Sequence, residues 1–316
     1  MSGPRILLVV TGDMERVGLA QALRSLFDSA HFDTVQVQGF TSNTLPEPNP
    51  ALHASKAMPL VEDLLASAVP KEPGGLPYDY AIALEDVELA NEDNQFSDAG
   101  VLRIQGHFRL AIDVYLQNKK TQAAPTVIPK GKARQHPPLD SDPLRRQFLQ
   151  ERCSLHLLRP MAEALFFGDL PDAVSRAIGL EHPSPPILFD PTICDIEQFQ
   201  VNDPQYLGAT IDTESHLPKW ATANRQRHPK HYLEYLLDPE GQMSRPYIEI
   251  EHGKRALTQL KWASVVSLPD HARMVRALLE DISNMVGVSL PWLDLAHCHP
   301  LTQRRTARSR LLRNLT

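Results

Sequence analysis

The stretch Tyr78–Asn91, YDYAIALEDVELAN, decides how this chain of 316 residues is read. Tyr80 to Leu84 is a short apolar run behind a Pro/Gly-rich entry (Pro73, Gly74, Gly75, Pro77), the pattern of a strand buried on both faces of a parallel sheet. Three acids follow within four positions, Glu85, Asp86 and Glu88. In an open α/β sheet the ligand crevice lies outside the carboxyl ends of the strands, so acids placed there face a crevice and not the core. Two carboxylates two residues apart suit a hard divalent cation such as Mg²⁺, which takes oxygen ligands and keeps waters for a phosphate substrate. The same residues also read as an ordinary solvated loop or a helix cap.

Working outward toward the N-terminus, Ile6–Val10 (ILLVV) is a second continuous apolar run of the kind that forms a central parallel strand. It runs through Thr11-Gly12-Asp13-Met14-Glu15 into a helical pattern carried by Val17, Ala20, Leu23 and Phe27. Gly12 permits a tight turn. Asp13 reads as a helix N-cap or a site residue, and Glu15 as a first-turn acid that complements the helix dipole or as a site residue. Thr34–Phe40 alternates like a half-exposed strand, Leu45–Pro50 is loop, and Met58–Val69 is helical. The order strand–helix–strand–helix–strand predicts a right-handed parallel layer. Its first and third strands are expected side by side, which brings Glu15 and Asp86 to one edge.

Toward the C-terminus, Phe108–Leu116 keeps the helical period. Lys119–Pro143 is polar, rich in proline and without period, and residues 118–147 read as a flexible linker or lid. Cys153–Leu158 is a fourth strand, Met161–Phe167 a helix and Asp172–Ile178 another. Glu163 sits among Ala162, Ala164, Leu165, Phe166 and Phe167. A carboxylate on so apolar a segment is either buried with a partner or aimed into a site. The expected division is an α/β domain over 1–183 and a helical C-terminal region over 184–316, with helices at Pro229–Leu237, Gly253–Leu260 and Ala272–Val286. Ala296-His297-Cys298-His299 has soft-ligand chemistry but no second Cys/His pair at a zinc spacing. Arg304, Arg305, Arg308, Arg310 and Arg313 form a basic strip free of acids. On a helix, Arg304, Arg305 and Arg308 share a face that serves nucleic acid, a partner or only solvent.

With 42% hydrophobic and 22% charged residues the composition is that of a globular protein. A net charge of −6 argues against a surface that coats nucleic acid all over, while leaving room for a local basic patch. No apolar run approaches the roughly 18 residues of a membrane span, and Ile6–Val10 is too short for a signal segment. Three cysteines outside any CxxC arrangement suit a reducing compartment, so a cytoplasmic protein is expected. Neither phosphate-binding glycine motif, G-x-x-x-x-G-K-[ST] or G-x-G-x-x-G, occurs.

Taken together, Gly12 with Glu15, Asp86 with Glu88, the run Glu163-Ala164-Leu165-Phe166-Phe167-Gly168-Asp169, Pro229 with Leu233, and Tyr247 with Gly253 resemble the proteins grouped as DUF4276. These are Toprim-fold relatives of the OLD-type nucleases, often found with ATPases in mobile or antiphage defence loci. The resemblance implies a Toprim-like parallel sheet flanked by helices, with a C-terminal helical cap. It implies Mg²⁺ or Mn²⁺ held by Asp13, Glu15, Asp86 and Glu88, catalysis by Glu15, Asp86 and Glu88 with Glu163 in support, and a nucleic-acid substrate. Arg304, Arg305 and Arg308 would then contact nucleic acid or a partner. Two positions depart from the pattern. Thr11 stands where the family's first turn carries a glutamate, so Asp13 or Glu15 must take over its task, and Pro160 and Met161 replace a His-Glu pair. A non-catalytic assembly or sensing subunit beside an ATPase is the other expectation, and Thr11 favours it.

Overall fold

The computed structural model describes residues 3–37, 45–49, 56–68, 76–92, 95–117, 142–180, 185–208, 218, 220–305 and 311–316. Four strands, β1 (Arg5–Val10), β2 (His31–Gln36), β3 (Tyr80–Asp86) and β4 (Cys153–Leu158), form one parallel sheet in the order β2-β1-β3-β4. The first and third strands are neighbours as expected, in register from Ile6↔Tyr80 to Val10↔Leu84. The continuous apolar runs follow from burial on both faces. Leu7, Val9, Ala81, Ala83, Leu155 and Leu157 enter one core, which is closed by α2 (Met58–Ala66), α3 (Ala99–Gln117) and α4 (Asp142–Arg152). Ile6, Leu8, Val10, Ile82 and Leu84 enter the other, closed by α1 (Asp13–Arg24) and by the C-terminal half.

Several boundaries move, each for a physical reason. The second strand begins at His31 and not at Thr34, because His31 N–H donates to the Pro4 carbonyl (2.9 Å) and starts the ladder opposite Arg5. Helix α3 begins nine residues before Phe108. Its early glycines obscure the helical period, yet Gly100 is needed there, since a Cβ would lie 2.6 Å from the Asn91 carbonyl oxygen. Of the segment read as linker, residues 118–141 lie outside the described ones, and Asp142–Arg152 is helix α4, which buries only Phe148 and Leu149. Two buried residues in a polar window leave little hydrophobic signal. Ala162–Gly168 is a 3₁₀ helix.

Beyond α5 (Asp172–Ile178) come α6 (Pro204–Gly208), α7 (Pro229–Leu237), a π-helical turn at Glu249–Gly253 that leads into α8 (Lys254–Leu257), shorter than the expected Gly253–Leu260 helix, and then α9 (Trp262–Val265) and α10 (Arg273–Val286). Residues of this half share a single core with α1 and the sheet, so it forms the second helical layer of the same sandwich. Helix α10 is started by a distant segment: the Glu197 carboxylate accepts from Met274 N–H (2.7 Å) and Val275 N–H (3.1 Å), and Asp195 accepts from Ala272 N–H (3.0 Å). These bonds satisfy helix-start donors that would otherwise be orphaned.

The arginine strip is no helical face over the described residues. Residues 301–305 are turn, 306–310 (with Arg308) lie outside the described residues, and Leu311–Asn314 bends back under the sheet. Arg304 bonds Glu280 (3.2 Å), Arg313 bonds Asp281 (2.8 Å), and the Arg305 N–H donates to the Arg313 carbonyl. The residues of the His297–His299 cluster are structural: Cys298 is buried, and His299 Nε2 sits 3.2 Å from Asp98. No helix among the described residues is long and apolar enough to cross a membrane.

Candidate functional site

Strands β1, β3 and β4 all end at one edge, and the residues that follow each of them open a cleft of about 670 Å³. Glu15 comes from the first turn of α1, Asp86 and Glu88 from the end of β3, and Glu163 from the 3₁₀ helix after β4. Four sequence-predicted residues from three segments thus share one cavity. Asp13 also lines it, but at the rim, half-exposed, with its carboxylate 3.1 Å from Arg16. The N-cap of α1 is Gly12, so Asp13 does not cap. Arg304 lies elsewhere, and its guanidinium is bound to Glu280.

Local backbone explains how these side chains converge. The Glu15 carboxylate folds back over Gly12, where a Cβ would stand 2.0 Å from Oε2, so only glycine leaves room for it. Glu88 holds φ at +64°, a region that side chains avoid, while its N–H is tied to the Pro160 carbonyl (2.8 Å). Such a backbone costs on the order of 1–3 kcal/mol and persists where surrounding structure enforces it. Thr11 does not enter the cleft chemistry as a ligand: its hydroxyl donates to the buried Glu85 carboxylate across the β1–β3 pair.

The electrostatics are lopsided. Seven carboxylates line the cleft against Lys230 and Arg245. Burial, and next the charge of Glu163, pushes Glu15 up to about 8. Burial lifts Glu163 to about 7 in spite of Lys230. Asp86 is held well above the usual carboxylate range by burial and then by Glu15 and Glu88, and Glu88 is raised by burial against the pull of Lys230. Carboxylates that retain protons near neutrality lack sufficient positive charge around them.

The opposite wall was not anticipated from the sequence. His228, Lys230 and His231 at the start of α7, with Tyr247 and Glu249, complete the cavity. Lys230 Nζ bonds Glu249; burial pulls its pKa down, and the charge of Glu163 and the bond to Glu249 outweigh this and raise it. The His228 and His231 rings stack at 3.5 Å. Burial, then the neighbouring His231 and Lys230, pushes His228 down to about 3, and burial and Lys230 push His231 to about 4, so both are neutral. The only signal in the sequence was the density of basic residues in RHPKH, Arg227–His231.

The donor set suits a hard divalent cation by element and by charge. Among the described residues, however, no three His, Cys, Asp or Glu groups stand closed around a metal position.

The raised pKa values set the sign of a pH dependence. Glu15 and Glu163 hold protons in the fold that the unfolded chain has released above about 4.5. Through these groups the folded state binds more protons than the unfolded one and stability falls as pH rises to about 8, while the depressed His228 and His231 oppose that fall below about 6.5. In EDTA, the melting temperature should drop between pH 6.5, above which the two histidines no longer oppose the effect, and pH 8, at about 1.4 kcal/mol per pKa unit. Glu15→Gln should flatten that slope in thermal melts, and a flat wild-type profile would mean that these carboxylates are already compensated.

Comparison of the chain with family models, with curated proteins and with solved structures finds no match.

Proposed function

We propose that this cleft binds Mg²⁺ or Mn²⁺ and carries out phosphoryl transfer on a nucleic-acid phosphodiester, as the Toprim-like resemblance implies. One observation carries the reading: Glu15, Asp86, Glu88 and Glu163, delivered by segments that follow three adjacent parallel strands, share one cavity with too little positive charge. Asp86, Glu88 and Glu15 would hold the ion, with Asp13 at the rim. The ion would supply charge stabilisation at the phosphoryl oxygen and an activated water. Glu163, buried beside Lys230, would exchange a proton with solvent in the cleft. A cytoplasmic setting with an ATPase partner goes with this reading.

Two observations favour the second reading, a non-catalytic assembly or sensing subunit. Thr11 is engaged in a structural bond to Glu85, and among the described residues no three His, Cys, Asp or Glu groups are clustered as metal ligands. Incubating the protein with supercoiled DNA and with RNA in Mg²⁺ and in Mn²⁺, beside Asp86→Ala, separates the two. Metal-dependent cleavage that falls to background in Asp86→Ala is the expected result. Inert wild-type protein that still co-purifies with an ATPase supports the subunit reading.

A further inference from the structure

The cleft has two chemically different walls. The sheet side presents carboxylates, which accept hydrogen bonds and attract cations. The α7 side adds donors, His228, Lys230 and Arg245, beside the carboxylates of Glu234 and Glu249. Lys and Arg side chains only donate, and Arg245 makes no ion pair with a described residue. The tautomer of His228 is fixed by its role at the helix start. Its Nδ1 accepts from His231 N–H (3.3 Å), so the neutral ring carries its proton on Nε2. Stacking on His231, at 3.5 Å and 8° between planes, holds that ring in one orientation. A ligand that suits both walls has acceptor oxygens on one side and a cation on the other.

Resting on the metal-site reading above, we infer that His228, Lys230 and Arg245 form the phosphate-binding wall of this cleft, and that the wall accepts its anion only after the carboxylates have taken a divalent cation. The order follows from charge. Seven carboxylates against two cationic side chains repel a free phosphate. A bound cation offsets part of that negative charge, offers a phosphoryl oxygen a direct ligand position, and weakens the hold of Glu163 and Glu249 on Lys230, freeing its ammonium for the anion. Lysine, a point charge on a flexible stem, can move from Glu249 to a ligand without rearranging the backbone. If Lys230 were only a counter-charge for Glu163 and Glu249, its loss would alter stability and cation affinity and leave anion affinity alone.

The test is calorimetric titration of inorganic phosphate into the full-length protein, with saturating Mn²⁺ and with EDTA, and Mn²⁺ affinity is measured separately by electron paramagnetic resonance. Wild type should bind phosphate with Mn²⁺ and at least about tenfold more weakly in EDTA. Lys230→Met should weaken phosphate by about tenfold or more while Mn²⁺ binds as well or better, and Lys230→Arg should restore most of the loss. Phosphate binding that ignores Mn²⁺, or that is unchanged in Lys230→Met, overturns the inference and leaves the metal reading intact. Wild type that binds Mn²⁺ and no phosphate also removes the inference alone, whereas wild type that binds no Mn²⁺ removes both.

Discussion

Asp86→Asn should raise the melting temperature of the metal-free protein at pH 8 and abolish its response to Mg²⁺ and Mn²⁺. The two effects have one cause. Asp86 is half-buried beside Glu15, Glu88 and Glu163, and its desolvation together with these charges resists its ionisation. An amide keeps the shape and removes the charge, so in EDTA the variant loses a repulsion that the wild type endures. Each kcal/mol relieved is worth roughly 2–4 °C in a domain of somewhat smaller size. In wild type, a cation at a hundred times its Kd adds about 2.7 kcal/mol, on the order of 5 °C, because it binds only the folded state. The neutral amide is a far poorer partner for a hard cation, so that increment should vanish. Differential scanning fluorimetry with EDTA and with millimolar metal reads both effects. A wild type unmoved by metal, or a variant less stable than wild type in EDTA, contradicts the account of the cleft as an unsatisfied acidic site.

The sheet and half the cleft were legible in the sequence because both follow from local pattern. Continuous apolar runs ending in acids read as inner parallel strands, and the chain order put Ile6–Val10 beside Tyr80–Leu84. Glu163 could be singled out because a carboxylate among phenylalanines needs a reason. The other wall was not legible. Lys230 lies in the first turn of α7, where its periodicity reads as helix and nothing marks the direction of the side chain. Glu249 meets Lys230 through a π-helical turn that no repeat announces. Thr11 looked like a lost ligand and is instead a hydrogen-bond donor to Glu85, a pairing fixed by strand register and invisible in either segment alone. The same limit applies to the terminal arginines, whose acids lie 24 and 32 residues upstream.

The largest loss of stability should come from that tail. Arg313 places both its Nε (3.0 Å) and Nη2 (2.8 Å) on Asp281 Oδ1, and His156 Nε2 lies 3.1 Å from Asp281 Oδ2. His156 and Asp281 are fully buried, and although burial opposes its charge, the bonds to His156 and Arg313 hold the Asp281 carboxyl down at about 2. Alongside, Asn314 accepts from Leu155 N–H (3.0 Å), and Leu312 and Leu315 are buried in the sheet core. The tail is thus a strap across β4, and truncation before Arg304 would remove core and not merely a basic patch. Arg313→Ala leaves Asp281 buried and without its arginine partner, a change that costs about 3–5 kcal/mol. The triple replacement His156→Leu, Asp281→Leu, Arg313→Met should cost far less than Arg313→Ala alone. It removes all the charges together, and the buried Nδ1 of His156, which has no hydrogen-bond partner among the described residues, goes with them. Urea unfolding of the two variants at pH 7 decides the point: if the single and triple variants are equally damaged, the tail is held by apolar packing and the ion cluster contributes little.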